Sequence, residues 1–457
     1  MSEVLESLHR QFRDGLHALD GGAGRFEHRI GAELKFPLVN LGGTAANREM
    51  TEVFWHYLAE QGWELVIDSF SGNPAGARTP GERNDHVASC ETGYCKIEFS
   101  LAHAADLFSL QRSIDMLPDL IAPFAERHTV RFLGLGIHPV TPPSAALLAK
   151  QGRASFWDRV FPSNTVLTPE EGDDYLLFTV NTASHVHVSI APEAAVRAVN
   201  VMNGFSGPII ALTANSSVWR GDVSDYMCTA EKLWDWWAPA EGRVGVPKRP
   251  FESTEDYVEA IAKLGPVYVN RDGHPITLRR YPTFLDYFGA EKAIGEDAEG
   301  NPVEVVPEPG DIETHNSCCW YNARISRYYT VESRVCDQQP QEALIVPAAL
   351  ALGLAFALDE GQEELDAYSW DDLRAARDAA CKEGLEGESS MSMMVFAQRL
   401  LNIVETGLKR RGRGEEQLLE PLWQRLQQRT CPADDAAAIV RERGIEALVA
   451  ERSMEPK

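Results

Sequence analysis

Four stretches of this chain alternate apolar and ionisable residues, a pattern that fits a strand with one apolar and one charged face. The most demanding is Tyr329-Thr330-Val331-Glu332-Ser333-Arg334-Val335-Cys336-Asp337. Val331, Ser333 and Val335 fall on one side of an extended strand, and Glu332, Arg334 and Cys336 on the other. A carboxylate thus stands beside a guanidinium, and burying that pair is costly unless a metal or a phosphate compensates it. The same pattern gives Glu33 and Lys35 after Ile30, Lys96 and Glu98 after Cys95, and His185 and His187 after Ser184. Antiparallel sheets commonly keep one face for the core and leave one open. The open face expected here carries Glu33, Lys35, Lys96, Glu98, His185, His187, Glu332 and Arg334, with Glu91 contributed by an adjacent turn.

Such a face has a chemistry. Hard carboxylate oxygens suit magnesium, which shares its ligands with substrate phosphates. Arg334 among them suits a phosphate or a developing oxyanion. Taken singly, His-x-His or Glu-x-Arg on a strand is most often a structural or solvated feature. Four such strands in one chain are what point to a site. The net charge of -25 opposes binding to nucleic acid or to anionic membranes, so an anionic ligand needs local cations.

The rest of the chain supplies the frame. Residues 1–28 read as a lightly packed helical lead-in ending in Gly21-Gly22-Ala23-Gly24. A helix is expected over 47–61, a strand over 63–70 and a loop over 71–86. A helix over 104–127 should be limited by Pro118 and Pro123. A strand follows at 131–138, then helix and loop over 141–173. The third polar-faced strand is expected within 176–190, and a helix over 192–213. Residues 226–237 are rich in aromatics, with Trp234, Trp236 and Trp237, and 241–315 show weak periodicity. The apolar run from Ala343 to Leu358 is too short for a membrane span and reads as a buried helix. The remainder is helical, with acidic loops near 359–372 and 382–388. The acidic start, Met1-Ser2-Glu3-Val4-Leu5-Glu6, has no signal-peptide character, and the eight cysteines show no disulfide or zinc spacing. The expectation is an α+β protein of the cytoplasm with reduced thiols.

Several ordered motifs resemble the carboxylate-amine ligases of the glutamate–cysteine ligase type 2 family. Gly31-Ala32-Glu33-Leu34-Lys35-Phe36 is similar to that family's opening Gly-x-Glu-x-Glu-Phe. Glu91-Thr92-Gly93-Tyr94-Cys95-Lys96-Ile97-Glu98-Phe99-Ser100 is similar to its Glu-Pro-Gly-Gly-Gln-x-Glu-Leu-Ser segment. Ser184-His185-Val186-His187-Val188 resembles its His-Val-His-Val strand, and Ala214-Asn215-Ser216-Ser217 its Ala-Asn-Ser-Pro loop. Trp320-x-x-x-Arg324 followed by Thr330-x-Glu332-x-Arg334-x-x-Asp337 is the most specific match.

The resemblance implies a glutamine-synthetase-like fold, a curved antiparallel sheet forming a funnel backed by helices. It places the catalytic domain at 29–350 and a packed helical region at 351–457. It implies ATP-dependent amide formation through an acyl phosphate, from a small-molecule carboxylate and an amine, amino acids or a peptide. Magnesium, or manganese in its place, would be held by Glu33, Glu91, Glu98 and Glu332. Catalysis falls to Arg334, Glu332 and His185. Substrate and nucleotide binding fall to Lys35, Lys96, His187, Asn215, Ser216 and Arg324. A homodimer is implied, without nucleic acid or membrane partners.

Two positions depart from the family pattern. Lys35 stands where the second glutamate of the opening motif belongs, which should weaken or remove one metal position. Ala230 stands where an arginine would clamp a substrate carboxylate, with Lys232 as its substitute. Two other functions are therefore compatible with the sequence. One is a nucleotide-binding relative without turnover. The other is a metal-dependent hydrolase with His185, His187 and Glu332 around zinc.

Overall fold

The computed structural model describes residues 2–18, 28–69, 71–81, 85–149, 163–237 and 242–456. The glycines at 21, 22 and 24, and residues 150–162 of the helix and loop expected over 141–173, lie outside them. The main sheet comprises β1 (Ile30–Asn40), β2 (Glu64–Ile67), β3 (Pro74–Arg78), β4 (Val87–Cys90), β5 (Lys96–Ser100), β6 (Val130–Phe132), β7 (Ala183–Val188), β8 (Ala323–Ile325) and β9 (Val331–Asp337). Its order is β8-β9-β7-β1-β5-β4-β3-β2, with β6 also paired to β1, and every pairing is antiparallel. The fold is thus a mixed helix-and-sheet architecture around an antiparallel sheet. β1 occupies its centre. Pro37 lacks an N–H to give a ladder, and it sits where β1 passes from β5 to β6.

One face of the sheet is apolar. Ile30, Ala32, Leu34 and Phe36 of β1 are buried with Ile97, Phe99, Val186, Val188 and Val331. The helices around the sheet are α1 (Ser2–Ala18), α2 (Arg48–Glu60), α3 (Leu107–His128), α4 (Ala195–Gly204), α5 (Ser206–Thr213), α6 (Thr229–Trp236), α7 (Thr254–Ala262), α8 (Val346–Ala355), α9 (Trp370–Glu383) and α10 (Met393–Arg411). α8 lies against β7 and β1, and α5 against β9. Every residue of α8 is buried, as the apolar run from Ala343 predicts. Among the described residues no single helix is long and apolar enough to cross a membrane. α8 and α10 approach closely at Gly353 and Gly407. A Cβ at Gly407 would meet the Gly353 carbonyl oxygen at 2.0 Å. None of the eight cysteines is in a disulfide.

Several elements differ from expectation. α3 runs unbroken through Pro118 and Pro123. Its apolar stripe of Leu107, Leu110, Ile114, Leu117, Ile121 and Phe124 is buried throughout, and that burial outweighs the backbone bonds the prolines cannot make. The loop expected over 71–86 contains β3. The polar-faced strand begins only at Ala183, because Asp174–Thr179 is a 3-10 helix. The helix of 192–213 is two, broken at Phe205, and residues 358–365 are helical rather than loop. Residues 268–305, weakly periodic, form a four-stranded antiparallel sheet.

The lead-in helix α1 is firmly packed. Leu8, Phe12 and Leu16, spaced for one helical face, join the main core and are at most 2% exposed. Full burial of each such side chain is worth about 1.5–3 kcal/mol. α1 rests on α7 and on the turn between β8 and β9. In that turn Tyr329 has φ 60°, the left-handed region. Its ring meets Phe12 edge-on at 5.3 Å, and its hydroxyl donates to Glu313 Oε1 at 3.1 Å. The ring also lies over Gly15, where a Cβ would meet it at 2.0 Å.

Candidate active site

The open face of the sheet lines a cavity of about 550 Å³. Register explains why the ionisable residues converge there, since directly opposed residues of antiparallel strands project to the same side. Lys35 opposes Glu98 across β1 and β5, and Glu33 opposes His185 across β1 and β7. Glu332 opposes His187 on one side and Arg324 on the other. A bulge in β9 then sets Arg334 and Val335 against the single residue His185, between the pairs Ser333–Val186 and Cys336–Ser184. Beyond it the alternation shifts, so Cys336, expected on the polar face, joins the main apolar cluster.

Glu33, Lys35, Glu91, Lys96, Glu98, His185, His187, Arg324, Glu332 and Arg334 all line this cavity. The Lys35 Nζ sits 2.8 Å from Glu33 Oε2, 3.0 Å from Glu98 Oε2 and 3.8 Å from Glu91 Oε1. His185 Nδ1 lies 3.1 Å from Glu33 Oε2 and 3.2 Å from the same ammonium. His187 Nε2 lies 3.3 Å from Glu33 Oε1, and its Nδ1 2.9 Å from Thr330 Oγ1. Glu332 accepts Arg324 Nε at 2.8 Å on one oxygen and Arg334 Nη1 on the other. Arg324 also donates to the carbonyls of Ser317 and Cys319, at 2.7 and 2.9 Å, so it is a fixed buttress. Lys96 donates to Phe178 O at 2.8 Å and Asn181 Oδ1 at 3.0 Å.

These contacts set the charges. Burial pushes Glu33 upward, but Lys35, His185 and His187 hold it well below the usual carboxylate range. Burial also opposes the charge on Glu332, yet Arg324 and Arg334 hold that group well below it too. Burial, and then the carboxylates of Glu33 and Glu91, push Glu98 up to about 8, against the pull of Lys35. His185 is lowered to about 3 by burial and by Lys35 and Arg334, so its imidazole is neutral near pH 7. Lys96 is lowered to about 8, chiefly by burial.

The expected residues do not all share one role in space. Glu33, His187 and Glu332 offer ligand atoms that lie within 4.8 Å of one another, a mixed carboxylate and imidazole set that fits one divalent ion. Glu91 and Glu98 stand apart from that set and surround Lys35. Asn215 and Ser216 do not line the cavity. The Asn215 N–H and the Ser216 hydroxyl instead donate to Asp337 Oδ2, at 2.6 and 2.7 Å, behind its wall. Ala230 lines the cavity, whereas Lys232 does not, being engaged by Asp235 at 2.9 Å.

Sequence reasoning missed other lining residues. Asp337, raised to about 7 by burial, and Asn181 line the cavity. Tyr175, Phe178, Trp234, Trp237, Tyr268 and Trp320 also line it. Phe178 and Trp234 pack with ring centroids 4.2 Å apart, and Trp234 and Trp320 with centroids 5.6 Å apart. The density of aromatics at 226–237 signals Trp234 and Trp237, whereas Tyr175, Phe178, Tyr268 and Trp320 come from scattered positions. The arrangement offers fixed cations, an ion site and a group of aromatic rings in one cavity.

Comparison with known proteins agrees with this picture. A sequence model described as glutamate-cysteine ligase family 2 matches residues 29–451. A relative in Nocardia farcinica that carries the name of a glutamate–cysteine ligase is 27% identical over 199 residues, 42% of this chain and 47% of its own length. The chain thus spans about half the length of that relative. The glutamate–cysteine ligase of Haloquadratum walsbyi is 23% identical over 332 residues, 69% of this chain and 73% of that protein. Among solved structures, the glutamate–cysteine ligase of Francisella tularensis in complex with AMP superposes with a TM-score of 0.51 at 11% identity. That match covers 93% of this chain and 87% of the other, and the likeness is one of fold.

Proposed function

The chain belongs to glutamate–cysteine ligase family 2, and on that premise we propose that it is an ATP-dependent ligase joining a small-molecule carboxylate to an amine. The observation that carries this reading is the convergence of Glu33, His187, Glu332 and Arg334 on one wall of the cavity. In the proposed reaction a substrate carboxylate oxygen attacks the γ-phosphorus of ATP, and the bond to the departing ADP oxygen breaks. The amine nitrogen then attacks the acyl carbon of the resulting acyl phosphate. Phosphate leaves with the bonding pair, and the nitrogen gives up a proton.

The protein's part is electrostatic. Such transfers depend mostly on positioning and on fixed positive charge. Arg334 spends one nitrogen on Glu332 and presents its remaining N–H groups to the cavity, where they would hold the transferring phosphoryl group. Arg324 and Glu332 hold Arg334 in place. Magnesium or manganese, bound by Glu33, His187 and Glu332, would supply further neutralisation of the phosphates. Glu91, Glu98, Lys35, Lys96 and neutral His185 shape that wall.

The substrates are less plain than glutamate and cysteine. Ala230 cannot clamp a carboxylate, and the wall around it is aromatic, which favours an acid or amine with a flat or apolar part, amino acids and peptides included. The reading carries with it a sheet curved into a funnel, as in glutamine-synthetase-like folds, a catalytic unit over 29–350, a helical region over 351–457, a homodimer and a cytoplasmic location. A second reading, a relative that holds nucleotide without turnover, is favoured by Lys35 among the metal-type carboxylates. The test is phosphate release from ATP and magnesium with pooled acids and amines, followed by mass spectrometry. Release that needs one acid and one amine supports the ligase. Nucleotide binding without release over a broad pool supports the second reading and sinks the first.

A further inference from the structure

Lys35 lies where its three carboxylates would otherwise gather a metal ion. Glu33 is two residues away on the same face of β1, Glu98 is its direct partner on β5, and Glu91 stands at the turn before β5. All three oxygens reach the ammonium, at 2.8, 3.0 and 3.8 Å. The lysine side chain is 4% exposed, and its backbone N–H is fixed by Gln338 Oε1 at 2.9 Å. Its stem is enclosed, so the head group has no solvent position to retreat to.

A divalent ion bound to these carboxylates would need oxygens at about 2.0–2.2 Å, and its centre would then fall on or beside the nitrogen. Two positive centres at such a distance repel strongly in a buried site. The local carboxylates are also offset without metal. Glu33, Glu91 and Glu332, with Glu98 protonated below about pH 8, face Lys35, Lys96, Arg324 and Arg334, so the cationic side chains are at least as many as the charged carboxylates.

We propose that the Lys35 ammonium is a resident cation taking the place of a divalent ion among Glu33, Glu91 and Glu98, so that the chain keeps a single metal position, at Glu33, His187 and Glu332. The inference rests on the ligase reading only in taking the site as one for phosphates and divalent ions. A cation carried on a side chain cannot be chelated, does not exchange and brings no bound water. It also fixes the orientation of Glu33, which is shared between the two positions.

The experiment counts manganese. Full-length protein is titrated with manganese(II) alone, and the free ion is followed by electron paramagnetic resonance. The expected count is one per wild-type chain, one for Lys35→Arg, and two for Lys35→Glu. His187→Ala should weaken the single wild-type site at least tenfold. Lys35→Met, which keeps the stem and removes the charge, should also gain a site and serves if Lys35→Glu does not fold. A wild-type count of zero or two overturns the proposal, and so does an unchanged count in a folded Lys35→Glu or Lys35→Met. Absence of ATP turnover would sink the ligase reading and leave these counts as they are, so the two failures are distinct.

Discussion

Glu98 gives the sharpest energetic consequence of the crowded carboxylates. Its carboxyl is 12% exposed, and burial with Glu33 and Glu91 raises it from an ordinary 4.5 to about 8. A carboxyl raised on folding keeps its proton in the native chain after the unfolded chain has lost it. The native state therefore loses stability as pH rises from the unfolded value towards about 8, and the slope vanishes above that. At about 1.4 kcal/mol per unit, the loss from about pH 5.5 to about pH 8.5 comes to about 3 kcal/mol. Other groups also titrate, with Asp337 adding to the trend and His138, lowered to about 4, opposing it in acid. Glu98→Gln isolates the term of interest. The amide can turn its oxygen to Lys35 and donate to the Ser100 hydroxyl, which now donates to Glu98 Oε1 at 2.7 Å. Urea unfolding of both proteins, with a chelator present, should show the stability advantage of Glu98→Gln over wild type growing by about 3 kcal/mol across that range. Parallel pH curves for the two proteins would refute the reasoning.

Three further outcomes follow from the same structure. Arg334→Lys should lower the turnover number of ATP-dependent amide formation by about 10²–10³ with the melting temperature little changed, because a point charge replaces a planar fork; equal turnover would remove Arg334 from the chemistry. Arg377 is buried between Glu231 at 2.6 Å and Asp235. Arg377→Ala should cost about 3–5 kcal/mol in urea unfolding by leaving Glu231 buried and unpaired, and a loss below about 1 kcal/mol would contradict that. Phe12→Ala should cost about 3–5 kcal/mol if α1 belongs to the core, whereas a peripheral helix would fray at the same midpoint as wild type.

The period of two made the four polar-faced strands legible, and the structure puts their ionisable residues on one cavity. That reading succeeds because alternation is imposed by backbone geometry and needs no knowledge of neighbours. What alternation cannot supply is register. Nothing in the order of residues says that Lys35 opposes Glu98 while Glu332 opposes His187, and on those pairings depends which carboxylates share a cation. Nor does it reveal the bulge at Arg334, which is set by how β9 and β7 are pinned at both ends. Asn215 and Ser216 match a motif, yet their hydrogen bonds turn to Asp337, a buried acceptor visible only once the chain is folded. Pro118 and Pro123 mislead for the converse reason, since a local rule about helices yields to an apolar face buried along the whole of α3.

The contact between Gly15 and the Tyr329 ring reaches beyond this one chain. A side chain at position 15 requires the ring at position 329 to move, since even a Cβ would lie 2.0 Å from it. The two sites, 314 residues apart in sequence, are thus bound into one unit of inheritance. Related chains should pair a small residue at the first with a ring at the second, or a bulkier residue at the first with a short one at the second. A drift at either alone would press on the turn that leads into Thr330 and Glu332, so the beginning of the chain and the strand that carries Glu332 and Arg334 are expected to vary together.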